Sequence, residues 1–138
     1  MQDLIAELSL SREAGPAEWL PAALEGLLDT AARVVLLDAT SELPEAPPWP
    51  QGALRDIALF ELPVVLAFEG ALRGPWTDLA LAADIRVCGE GASLQGRLAG
   101  DARARVLAGD AVALELYLGR TALDSARLLD VEIGRAHV

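Results

Sequence analysis

The chain has 138 residues with 21 acidic and 11 basic side chains, a formal charge of −10, and it is 53% hydrophobic but only 4% aromatic. That size suits one domain over residues 1–138, with a core of Ala, Leu and Val that favours helices packed on a buried sheet. The acid excess excludes a nucleic-acid partner, because phosphate contacts need a basic face.

The opening MQDLIAELSL has no basic segment followed by a long apolar one, so no secretory signal is expected. No apolar run anywhere approaches the ~20 residues that span a bilayer. The expectation is a soluble, cytoplasmic protein that does not enter a membrane. Leu4, Ala6, Leu8 and Leu10 alternate with Ile5, Glu7 and Ser9, which predicts a strand with one face fully buried, at a sheet edge or in a second layer. Leu20, Leu24, Leu27, Leu28 and Ala31 fall at helical spacing and predict a helix over residues 19–31, with Pro16 and Pro21 tolerable only near its start. RVVLLDA, residues 33–39, is a short continuous apolar run of the kind buried on both faces of a parallel sheet.

TSELPEAPPWPQG, residues 40–52, holds four of the eight prolines and reads as a stiff loop. A helix over residues 52–61 ends before Pro63, and VVLAF, residues 64–68, is another buried strand. Residues 69–75 form a tight turn that opens into a helix over residues 76–83, followed by the strand IRVC, residues 85–88. Alternating strands and helices indicate an α/β fold with parallel strands. Beyond Cys88 the pattern weakens: GEGASLQG reads as turn, short strand and turn, DAVALELYLG as a helix stopped by Gly119, and residues 121–138 as a cap, a short helix and a strand-like tail.

Residues 62–88 carry a run that resembles the crotonase superfamily, the enoyl-CoA hydratase/isomerase family. Members have a Pro-Val strand, then Asn-Gly-x-Ala-Leu-Gly-Gly-Gly-x-Glu-Leu-Ala-Leu-Ala-Cys-Asp, then an Ile-Arg-Ile strand. Here Pro63 to Phe68 match the strand, Gly70 the glycine after Asn, and Asp78 through Asp84 the acidic residue through the terminal Asp, without a gap. Ala92, Ser93 and Leu94 resemble the next strand, and residues 109–134 resemble a later helix and the helix-strand unit after it. The resemblance implies a crotonase-like spiral of mostly parallel strands. It also implies a shortened member, because the family's C-terminal trimerisation helices have no counterpart before Val138. A homodimer or hetero-complex is therefore expected in place of the usual trimer.

The resemblance further implies a site for an acyl-CoA or carrier-protein thioester, with Arg73, Gly74, Pro75 and Trp76 against the substrate and Asp78 as the acid/base. The family stabilises an enolate with two backbone N–H groups. One of them falls at Pro75, which has no N–H. The other falls in the loop after the second strand, here TSELPEAPPWPQG with no Ala-Gly segment. Trp76 stands for the third glycine, and the second hydratase carboxylate has no counterpart in GRLAGDARARVLA, residues 96–108, whose sole acid is Asp101.

These departures imply a non-catalytic binding or auxiliary subunit. The alternative is a diverged enzyme on an acyl thioester that uses Asp78 alone. Each residue also has a structural reading: Asp78 as a charge near a helix N-terminus, Arg73 as an exposed loop cation, Trp76 as a plug, Trp49 as a packed side chain and Cys88 as an inert buried thiol. His137 is the only histidine and lies next to the C-terminus, which argues against a multi-His metal site and a Ser-His-Asp triad, and no cofactor is expected.

Overall fold

The computed structural model describes residues 4–11, 15–50, 52–95, 123–124 and 136–137. Strands β1 (Ile5–Ser9), β2 (Val34–Ala39), β3 (Val64–Phe68), β5 (Ile85–Cys88) and β8 (Ala136–His137) form a five-stranded sheet in the order β1-β2-β3-β5-β8, every neighbouring pair parallel. Strands β4 (Ala71–Arg73), β6 (Ser93–Gln95) and β7 (Leu123–Asp124) form a second sheet, β4 parallel to β6 and β6 antiparallel to β7. Helices α1 (Pro16–Leu27), α2 (Ala53–Ala58) and α3 (Pro75–Ala82) connect successive strands of the large sheet. The helix at residues 110–119 and the short helix after residue 121 expected from sequence lie outside the described residues.

Register explains where the core sits. Leu8 pairs with Leu37, Leu37 with Leu66 and Leu66 with Arg86, so one row of side chains crosses four strands on a single face. The parallel row Ala39, Phe68 and Cys88 is buried on that face too. The opposite face of β2 and β3 is half-buried, so these strands are not buried equally on both sides. β1 departs further from expectation: its inward residues Ala6 and Leu8 are only half-buried, and Ile5 is 59% exposed, because among the described residues the strand pairs with β2 alone. Exposed Leu4, Ile5 and Ile85 lie where strands begin and Leu28 and Leu59 where helices end, which a parallel α/β layout puts at one end of the sheet.

The helices also shift from their predicted bounds. α1 starts three residues early, at Pro16 rather than residue 19, because a proline at the first helical position gives up an N–H that would have no partner there. It stops at Leu27, where Leu28 N–H closes back on Glu25 O and the Thr30 hydroxyl donates to Leu27 O at 2.7 Å. α2 is only six residues long, the chain after it turning through Leu59 and Phe60. α3 begins at Pro75, one residue before the predicted start, for the same reason as α1. β4 is a strand within what reads in sequence as a turn: three residues give too short a period for alternation to show.

Two side chains tie α3 to the large sheet. Arg86 is fully buried, and its Nη1 donates to Ala80 O and Ala83 O at the C-terminal end of α3, where a cation complements the exposed carbonyls. Asp84 exchanges two bonds with Val64: its Oδ2 accepts from Val64 N–H at 2.8 Å and its N–H donates to Val64 O at 2.9 Å. The end of the helix is thereby tied to the start of the central strand. Among the described residues no helix is long and apolar enough to cross a membrane, and no group of three or more His, Cys, Asp or Glu could hold a metal ion.

Burial of Cys88 pushes its thiol above the ordinary value of 9.0 by disfavouring the thiolate. The folded state then prefers the neutral thiol more than the unfolded chain does. Cys88 therefore favours folding fully below the unfolded value, and that contribution is lost as pH rises through it toward the higher folded value. Urea unfolding between about pH 8 and about pH 11 should show a midpoint that falls more steeply for the natural chain than for Cys88→Ala. Equal slopes would show a thiol that is not desolvated by folding.

Candidate functional site

The site grows from the turn between β4 and α3. Gly74 has φ +53°, ψ −122°, a conformation that side-chain-bearing residues rarely adopt, and it lets the chain leave β4 and enter the helix at once. Pro75 comes next, at the first helical position, and has no N–H to offer. Asp78 N–H closes the first turn on Gly74 O at 3.2 Å, and the buried Thr77 hydroxyl donates back to Leu72 O at 2.9 Å, tying the helix start to β4. Of the motif's three consecutive glycines, only the first is kept here, as Gly74, and it carries positive φ.

The proline-rich loop after β2 packs on this turn through two crossed hydrogen bonds. Trp49 Nε1 donates to Pro75 O at 2.8 Å, and Trp76 Nε1 donates to Pro44 O at 2.8 Å. Each indole thus reaches from one segment to a carbonyl on the other. Both tryptophans are buried, at 8% and 5% exposure. At the start of the loop, Asp38 Oδ1 accepts from Thr40 N–H at 2.9 Å and from the Thr40 hydroxyl at 2.6 Å, an Asx turn that fixes how the chain leaves β2.

Between the two segments lies a cavity of about 700 Å³, walled by residues 39–46 on one side and residues 70–76 on the other. That volume is in the range of small-molecule sites. Arg73, Gly74, Pro75 and Trp76 all line it. Asp78 does not: it is 5% exposed, packed within α3 and outside the lining. Sequence reading missed Glu42 and Glu45 in the lining of the loop wall, and it placed Arg86 among the basic residues near the motif without foreseeing that it is buried in the sheet. The loop itself stood out by its prolines, but nothing in it marked those two acids as lining a cavity.

No protein-family model and no curated protein matches the chain. Solved structures do match, each over 100% of this chain. An enoyl-CoA hydratase from Bacillus anthracis is 21% identical with a TM-score of 0.82, the match covering 69% of its length. One from Shewanella pealeana is 15% identical with a TM-score of 0.82 over 66% of its length. ThnE from S. clavuligerus is 22% identical with a TM-score of 0.81 over 74% of its length. The fold is the crotonase fold. In this crotonase fold the α/β core with mostly parallel strands is complete enough to hold the β4–α3 turn and the loop after β2 against each other, and the chain spans about two thirds to three quarters of the length of the structures it matches.

The crossed indole bonds generate a test. Trp49→Phe and Trp76→Phe each keep a ring but leave a carbonyl without its donor, at a cost of about 1–2 kcal/mol per substitution. Because both bonds hold the same two segments together, the double variant should lose less than the sum of the two single losses. Urea midpoints of the three variants measure this. Strict additivity would mean that the bonds act independently.

Proposed function

We propose that this chain is a non-catalytic binding or auxiliary protein built on the crotonase fold. The observation that supports the reading most directly is the separation of Asp78 from the cavity: the one carboxylate aligned with a family acid/base is buried in α3, while the cavity wall nearby is Pro75 and Trp76. Two further features point the same way. Pro75 stands where the family places an oxyanion N–H, and loss of one such donor typically costs ~10² to 10³ in rate. The loop that carries the second donor in the family is here proline-rich and held to the turn by Trp49 and Trp76.

A second reading, a diverged enzyme acting on an acyl-CoA or carrier-protein thioester, is favoured by the position of the cavity. It stands against the same β4–α3 turn that the family uses to hold a thioester carbonyl. The two readings differ in whether an enoyl thioester is turned over. The non-catalytic reading expects no loss of crotonyl-CoA absorbance above background, and no rescue by Pro75→Gly with Trp76→Gly. That double change could return one N–H but not a second carboxylate, whose acid-base help is typically worth a further ~10² to 10⁴. Robust turnover that Asp78→Asn abolishes would establish the enzyme instead.

Free coenzyme A tests the site from another side. Its phosphates meet a protein of charge −10, and among the described residues Arg73 is the one cation lining a cavity that Glu42 and Glu45 also line. Calorimetry at physiological salt should show no micromolar binding. A micromolar Kd would point to a thioester-binding site.

A further inference from the structure

Strand β1 turns a row of backbone hydrogen-bonding groups to the outside of the molecule. Leu4 O accepts from the N–H groups of Arg33 and Val34, and Leu10 N–H donates to Asp38 O, so the even-numbered residues of this stretch turn their backbone groups toward β2. Alternation then points the N–H and C=O of Ile5, Glu7 and Ser9 away from β2, and among the described residues no other strand meets that edge. All three residues are exposed. The pairing from Ile5 with Val34 to Ser9 with Asp38 runs without a bulge, and Ile5–Ser9 holds neither a proline nor a lysine, so the only guard on this edge against a further strand is the charge of Glu7. Beside the edge, on the face that packs the core, Leu4 at 54% exposure and the half-buried Ala6 and Leu8 make an apolar row.

We propose that this edge pairs with a second copy of the chain, β1 running antiparallel to β1 of the copy about a two-fold axis and joining the two large sheets into one. Antiparallel pairing sets the outward residues of one strand opposite the outward residues of the other. A register with Glu7 opposite Glu7 of the second copy would put like charges face to face, which is destabilising. Shifted by two residues, Glu7 stands opposite Ile5 of the second copy, Ala6 opposite Ala6 across the axis, and Leu4 opposite Leu8. In that register Ile5 and Glu7 exchange their outward backbone bonds with Glu7 and Ile5 of the copy. The exposed Leu4 is covered by a Leu8 that the fold of one copy leaves half-buried. A two-fold interface requires such a self-complementary surface, and this edge supplies both sides of it from one sequence, which favours a second copy over a foreign strand. The contact is short, so the dimer is weak. Two copies of charge −10 also repel each other, so association should strengthen as salt rises. Whether the cavity beside α3 binds or turns over a thioester does not bear on this pairing.

Sedimentation equilibrium of the full chain reads the association. The mass should rise with concentration from 14.5 kDa toward twice that value, with a micromolar dissociation constant that tightens severalfold between about 10 mM and about 150 mM salt. Glu7→Pro removes an N–H that the fold of one copy does not use, and Leu4→Glu puts a charge on the apolar row. Each should weaken the dimer about tenfold or more, with circular dichroism showing that the fold is kept. Ile5→Lys should tighten it by pairing with Glu7 of the second copy, and by more than Leu59→Lys, which adds the same charge at the end of α2. In a Cys88→Ala background, which removes the single native cysteine, mild oxidation should link two chains through Ala6→Cys and not through Glu7→Cys. Directly opposed residues in a non-hydrogen-bonded pair stand about 4.5 Å apart at Cα, within reach of a disulfide. A mass of 14.5 kDa that persists to about 500 µM at either salt, or a stable trimer, would overturn the proposal. So would a dimer that survives both Glu7→Pro and Leu4→Glu, an Ile5→Lys chain that associates no more tightly than the Leu59→Lys chain, or failure of Ala6→Cys to cross-link.

Discussion

The position of α3 depends on a charge in the core. Arg86 occupies the register row that Leu8, Leu37 and Leu66 fill on the other strands, where a guanidinium would be costly without partners. Its partners are carbonyls at the end of α3, a place where a helix runs out of backbone donors of its own. Helix and sheet therefore solve each other's problem: the buried cation gains acceptors, and the helix end gains donors. Asp84 then anchors the chain just past that end to Val64 at the start of β3. With its C-terminal end held in this way, α3 has little choice of direction, and its N-terminal end is brought against the segment that leaves β2.

That segment is the proline-rich loop, and the consequences for chemistry come from the same contact. The β4–α3 turn gives Pro75 O to Trp49 and takes Pro44 O through Trp76. Polar groups that could have faced a ligand are used to join the two walls.

Much of this was legible in the sequence, and the exceptions have physical causes. The apolar runs at residues 34–39, 64–68 and 85–88 became parallel neighbours because strands joined by helices must run the same way. The resemblance over residues 62–88 pointed to a crotonase-like fold, and the solved structures share it. Helix ends were misjudged at Pro16 and Pro75, where proline acts as a starter and not a breaker, and the edge position of β1 left its apolar face more open than alternation alone suggests. Arg73, Gly74, Pro75 and Trp76 do converge on one cavity, but Asp78, next to them in sequence, is turned into the core by the helical period. Glu42 and Glu45 were invisible as site residues, since an acid in a loop gives no pattern from which its neighbours across space can be read.

The four prolines of residues 44–50 have a thermodynamic consequence for anything that enters the cavity. A proline restricts the unfolded chain as well as the folded one, so ordering this segment costs less backbone entropy than ordering a glycine-rich loop of equal length. The crossed indoles and the Asx turn then fix it at several points along its length. An incoming molecule meets a wall that is already preorganised, and association is opposed mainly by the ligand's own loss of translation and rotation. Such a surface discriminates by shape and charge from the first encounter and gives little opportunity for induced adjustment.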